Sequence, residues 1–154
     1  MRPPRILRTS DSFALTLLRL SLGVVMFAHG CQKMLGLFGG SGFTATMRQF
    51  ETGMHIPAVF AFLAIAAEFF GGLGLILGLL TRIAAFGIFC NMAVAIAKVH
   101  EKNGFFMNWS GRQAGEGFEF HLLVLAMCAA LMIAGAGAVS IDRAIERRDS
   151  YRTR

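Results

Sequence analysis

Two apolar runs set the terms for this chain. From Pro57 to Leu80, 24 residues contain a single ionisable side chain, Glu68, and from Leu122 to Ile141, 20 residues contain no charged one. About 20 consecutive apolar residues carry an α-helix across the hydrocarbon of a bilayer. The chain of 154 residues is 55% hydrophobic and only 16% charged, where a soluble domain carries about 25% charged residues. A soluble fold this apolar would expose large patches, so lipid is the natural solvent.

Two further segments are weaker. Phe13 to Leu35 contains Arg19, His29, Gln32 and Lys33, and Thr81 to Val99 contains Arg82, Asn91 and Lys98. Basic side chains near helix ends bend back to the interface, which keeps both as spans. Arg19 and Arg82 are accordingly expected to be snorkelling membrane anchors. The first segment is too long, and too interrupted by Arg19, for a removable signal peptide.

The expectation is an all-α integral membrane protein, an antiparallel four-helix bundle with helices at about 13–35, 57–80, 81–100 and 118–141. A basic lead over 1–12 and a basic tail over 142–154 flank it. Asp11 or Ser12 is placed to cap the first helix, and Ser140 and Asp142 a final turn. Thr44 to Glu51 reads as a short interfacial helix. Gly74 and Gly78 form a small-xxx-small pair suited to close helix approach, and to homo-oligomer contacts.

The net charge of +6 does not point to nucleic acid, because its placement reports topology. Arg2, Arg5, Arg8, Arg82, Arg143, Arg147, Arg148, Arg152 and Arg154 fall on one side of a four-helix threading, and Arg48, Lys102 and Arg112 on the other. The positive-inside rule then puts both termini in the cytoplasm. The C-terminal arginines are placed to meet anionic headgroups. Cys31, Cys90 and Cys128 form no Cys-x-x-Cys and read as small packing residues.

Polar groups are costly in such a chain, so their concentration marks candidate sites. Glu68 lies about 16 Å into its helix, near the bilayer midplane. A carboxylate there must be protonated or paired, with Lys33, His29, Lys98 and His100 as candidate partners. His29 and Lys33 are four residues apart and share a face. The connection Lys98–His121 holds two histidines, three glutamates, the only tryptophan and four phenylalanines. Its aromatics, Trp109 among them, fit an interfacial belt. Its glycines allow it to fold over the bundle mouth, bringing Asn108, Gln113 and Glu116 towards His29, Lys33 and His100. Together with Glu119 and His121, these residues are candidates for binding a quinone or another polar-headed lipid and for handling protons. No histidine pair has a metal-ligand spacing, so no metal is expected.

LLRLSLGVVMFAHGCQKMLGLFGGSGF at Leu17–Phe43, LAIAAEFFGGLGLILGLLTRIAA at Leu63–Ala85 and VHEKNGFFMNWSGRQAGEGFEFHLL at Val99–Leu123 resemble the DoxX family of small four-helix bacterial membrane proteins. The family-type pattern falls on Arg19, Gly30, Lys33, Glu68, Gly71, Gly72, Thr81, Arg82, His100, Gly104, Phe105, Asn108, Trp109, Glu116, Gly117, Glu119 and His121. The resemblance implies a multi-pass protein of the plasma membrane, the inner membrane of a bacterium. It also implies a redox setting, since the family name comes from a small subunit of an archaeal quinol oxidase with thiosulfate:quinone oxidoreductase activity. Other members are associated with thiol or oxidative-stress redox complexes. This chain has no Cys-x-x-Cys and no clear haem-ligand pair, so the expected role is an accessory, quinone- or lipid-binding subunit with partner proteins. A self-contained enzyme is not expected. The alternatives are a non-enzymatic scaffold or assembly factor, and a small transporter or metal handler.

Overall fold

Ser12 opens the first long helix by accepting a hydrogen bond from the Leu15 N–H at 3.5 Å. That helix, α1, runs Phe13–Leu35 and ends where Gly36 turns left-handed. The computed structural model describes residues 5–152, and no strand occurs among them. Arg2 and Arg154, expected at the cytoplasmic side, lie outside the described residues.

After α1 come α2 (Gly42–Arg48), which continues into a π turn at Gln49–Gly53, and α3 (Ala58–Leu77), which starts behind Pro57. A tight connection leads into α4 (Thr81–Asn103), then a loop to α5 (Glu119–Ala134) and a final helix, α6 (Ile141–Arg152). Three of these, α1, α3 and α4, are long and apolar enough to cross a membrane. Buried Leu22 and Met26 of α1, Leu75 of α3, Ile88 and Met92 of α4, and Val124, Cys128 and Leu131 of α5 share one core. The outer surface is no less apolar: Phe60, Phe70, Phe86, Leu123 and Ile133 are all exposed. Polar side chains such as Glu68 and Arg19 are buried instead. That inversion is the mark of a protein solvated by lipid.

Glycines set the closest contact. A Cβ on Gly30 of α1 would lie 2.4 Å from the Phe69 Cα of α3, and one on Gly72 would lie 2.5 Å from the Phe27 nitrogen. The two backbones therefore meet with no side chain between them, as small residues permit in membranes.

At the end that carries the termini, three expectations need correction. The fourth helix stops at Ala134 and does not reach residue 141. Gly135 and Gly137 take positive φ, and the 135–140 link runs beside the N-terminal lead. There Ser10 N–H donates to Ala134 O at 3.0 Å and Ala138 N–H to Ser12 O at 3.2 Å. Second, Arg19 is no snorkelling anchor: it is 1% exposed. Its guanidinium donates to the carbonyls of Leu75, Ile76 (2.8 Å), Ala136 (3.0 Å) and Val139 (2.7 Å), so it ties the end of α3 to the 135–140 link. Arg82 likewise turns to protein, donating to Met132 O and to Arg8 O at 3.0 Å. Third, Asp142 does not cap its own helix, which Ser140 Oγ caps through Arg143 N–H at 3.1 Å. Asp142 caps α4, accepting from Leu80 N–H at 2.8 Å and Thr81 N–H at 3.0 Å.

The Gly74/Gly78 pair is also occupied within the chain. A Cβ on Gly78 would lie 2.5 Å from Ser140 Cβ, and one on Gly74 would lie 3.1 Å from Leu79 O.

Candidate functional site

The close approach of Gly30 to Phe69 places the next turn of α1 beside Glu68. Lys33, three residues beyond Gly30, forms an ion pair with the Glu68 carboxylate. The acid is nearly enclosed, its side chain 4% exposed, while that of Lys33 is 28% exposed. The second carboxylate oxygen accepts a hydrogen bond from Asn91 Nδ2 of α4 at 2.8 Å. Glu68 thus joins α1, α3 and α4. Of the partners considered from sequence, Lys33 is the one that meets it. Asn91 was missed, although it is a lone amide in an otherwise apolar stretch of α4.

Glu68 sits in a π turn, Ala67–Gly71, and His100 in another, Ile96–His100. A π turn inserts an extra residue into the helical ladder and re-aims the side chains around it; such turns gather at functional sites. Sequence periodicity did not signal either one.

His100 and His121 stack with ring centroids 4.0 Å apart and planes at 39°. His29, exposed on α1, has its ring 6.5 Å from that of Phe120, and His29, Lys33 and His100 are all within electrostatic reach of His121. His121 is 7% exposed, and its Nδ1 is buried with no hydrogen-bond partner. Leaving such an atom unpaired costs about 1–3 kcal/mol, and it is the kind of group a ligand or water would meet.

The loop between α4 and α5 does fold back, but its carboxylates face the loop itself. Glu116 accepts from Asn108 N–H at 2.6 Å, and Glu119 accepts from Met107 N–H at 2.9 Å and Trp109 Nε1 at 3.3 Å. Asn108 and Gln113 exchange two bonds, at 2.9 and 3.1 Å. The loop's ends pair through Phe118 N–H to Gly104 O and Glu119 N–H to Phe105 O. A Cβ on Gly117 would lie 2.4 Å from Phe106 O, so only glycine fits there. The loop touches the cluster through the Glu116 carbonyl, which lies 2.8 Å from His100 Nδ1 and 3.0 Å from Asn103 Nδ2. Trp109 is 86% exposed at the loop's outer edge.

The eight sequence candidates therefore divide. His29, Lys33, His100 and His121 lie near the end of α1, the end of α4 and the start of α5, and Glu68, midway along α3, joins them through Lys33. Asn108, Glu116 and Glu119 hold the loop over them. Among the described residues, no three His, Cys, Asp or Glu side chains converge as a metal site.

The DoxX family model matches residues 14–101, which takes in α1 to α4 and the Lys33–Glu68–Asn91 group. The loop carrying Glu116 and the whole of α5 lie beyond the match. A protein of Bacillus subtilis (strain 168) named "Putative oxidoreductase CatD" is 29% identical over 126 residues, 82% of this chain and 82% of that protein. No solved structure matches the chain significantly. With more than half of its length under the family model, including its buried ion pair, this chain belongs to the DoxX family of membrane proteins.

Proposed function

We propose that this protein is a membrane-embedded accessory subunit of a redox or oxidative-stress complex that binds a quinone, or a lipid with a similar polar headgroup. In this reading α5 joins the three long helices as a fourth, shorter span of a transmembrane bundle. The protein is then a multi-pass protein of the plasma membrane, with both termini in the cytoplasm and the histidine end outward. The arginines near the termini, Arg8, Arg82, Arg143 and Arg147, support that orientation by the positive-inside rule.

The observation that carries the proposal is the buried, unpartnered Nδ1 of His121 beside a charged group sunk into the helices. Arg82 and Arg143 also carry a buried unpaired Nε, but at the end that holds the termini, whereas the His121 nitrogen stands with His29, Lys33 and His100 at the other end. The residues fit a polar-headed lipid. His29, Lys33 and His121 offer polar nitrogens to headgroup oxygens and His100 accepts at Nε2, Glu68 holds the Lys33 ammonium in place, and the exposed apolar helix faces are continuous with the lipid that holds a tail. A bound quinone supplies two-electron, two-proton chemistry. Electrons enter or leave through a partner subunit, because this chain has no Cys-x-x-Cys. The oxidoreductase name of the Bacillus relative supports a redox setting.

The test is quinone-dependent activity of membranes carrying Glu68→Gln at wild-type levels of folded protein. The expected result is loss of most of that activity. Full activity in the variant overturns the proposal.

A scaffold role is the second reading. It is favoured by Glu116 and Glu119, whose carboxylates bind loop N–H groups and not the histidines. It predicts stoichiometric partners in affinity pull-downs and the same partner recovery with Glu68→Gln.

A further inference from the structure

The chemistry of one hydrogen bond defines what His100 presents to a ligand. A backbone carbonyl can only accept, so the 2.8 Å contact between His100 Nδ1 and the Glu116 carbonyl requires the proton on Nδ1. In the neutral ring, Nε2 is then an unprotonated acceptor. Nε2 has no hydrogen-bond partner among the described residues. The ring is held from both sides: the π turn at Ile96–His100 sets its direction and His121 stacks on it at 4.0 Å. Asn103 Nδ2, 3.0 Å from the same Glu116 oxygen, keeps the carbonyl in place.

The neighbours leave that acceptor distinctive. On α1, Lys33 is a donor already committed to Glu68, and His29 is exposed. On α3 and α4, Glu68 has one oxygen on Lys33 and the other on Asn91. In the loop and at the start of α5, the Glu116 and Glu119 carboxylates are bound to loop N–H groups. His121 adds a buried nitrogen without a partner.

We propose that His100, fixed in its Nδ1–H tautomer by the Glu116 carbonyl, is the specificity-determining acceptor of the site and selects a headgroup that donates a hydroxyl hydrogen bond, the quinol over the quinone. This rests on the ligand class proposed above. A quinol offers O–H donors, whereas a quinone offers only carbonyl acceptors, which face a lone pair at Nε2 and gain nothing there.

The test is nitrogen NMR of 15N-histidine-labelled full-length protein in nanodiscs at about pH 8, above the ordinary imidazole value of about 6.5. The ligands are a short-chain benzoquinol and its oxidised quinone, added in the absence of oxygen. His100 is expected in the Nδ1–H tautomer, with its Nε2 resonance moved by the quinol. The quinol should bind about tenfold more tightly than the quinone, the worth of one well-made hydrogen bond. His100→Phe keeps a ring against His121 and should bind both forms alike. An Nε2–H tautomer, or equal binding of the two forms by the wild-type protein, overturns the inference and leaves the ligand class standing. If neither form binds while the tautomer is as derived, the ligand class itself fails and takes the selectivity with it.

Discussion

Lys33 on α1 and Glu68 on α3 form an ion pair whose acid side chain is 4% exposed, and Asn91 of α4 completes the acid's hydrogen bonding at 2.8 Å. Thirty-five positions apart in sequence, they meet because Gly30 and Gly72 let the backbones of the two helices come into contact. The pair ties three helices together, and its contribution to packing and its proposed role in ligand binding can be separated by experiment.

Breaking one side of a buried pair is expected to cost about 3–5 kcal/mol, since the other charge stays enclosed. Lys33 is partly exposed, so its loss of partner falls at the low end of that range. Glu68→Leu and Lys33→Met should each lower stability in detergent, and the double variant should recover much of the loss. A double-mutant cycle read by reversible SDS unfolding should give a coupling of about 1–3 kcal/mol. Additive losses would mean that the two side chains do not interact.

Gly30→Ala is expected to destabilise strongly, because its Cβ would fall 2.4 Å from backbone that cannot rotate away. Gly53→Ala, where the nearest atom is 4.0 Å distant, should stay within about 0.5 kcal/mol of wild type. Thermal unfolding of the two variants side by side checks this. A tolerated Gly30→Ala would contradict the contact between α1 and α3.

Arg19→Lys discriminates a buried clamp from a membrane anchor. An ammonium snorkels as well as a guanidinium, so an anchor would accept the change. A clamp would not, because Lys cannot reach the carbonyls of Leu75, Ile76, Ala136 and Val139 together. The expected loss is at least about 2 kcal/mol in unfolding experiments.

Asp142→Ala should remove the cap of a helix 62 residues earlier in sequence. The expected cost is about 0.5–2 kcal/mol, with faster hydrogen exchange at Leu80 and Thr81. Ligand binding at the opposite end should be unchanged. Exchange rates at those two amides that match wild type would refute the cap.

The long apolar helices were legible because lipid-facing and core-facing positions are both apolar, so length alone marks a span. The same uniformity hid where the last one stops. Residues 135–140 are uncharged like residues 122–134 before them, and the break comes where Gly135 and Gly137 take positive φ. The partnership of Glu68 with Lys33 was within reach, because few cations lie at that depth. Asn91 was not, because a single amide carries no periodic signal. The destinations of Glu116, Glu119 and Asp142 depend on which backbone N–H groups the folded chain leaves open, and no spacing in the sequence records that. Arg19 was misjudged for a related reason: a basic residue near a helix end reads as a route to the interface unless the carbonyls that surround it are known.

The proposed occupant of the cluster around Glu68 and His121 is a polar-headed lipid. Native mass spectrometry of protein extracted in the mildest detergent that preserves its fold tests this most directly. Wild-type protein is expected to carry a bound isoprenoid quinone, lost from Glu68→Gln and from His121→Leu variants that remain folded. A wild-type protein that carries only bulk phospholipid, or variants that keep the quinone at the wild-type level, would contradict it.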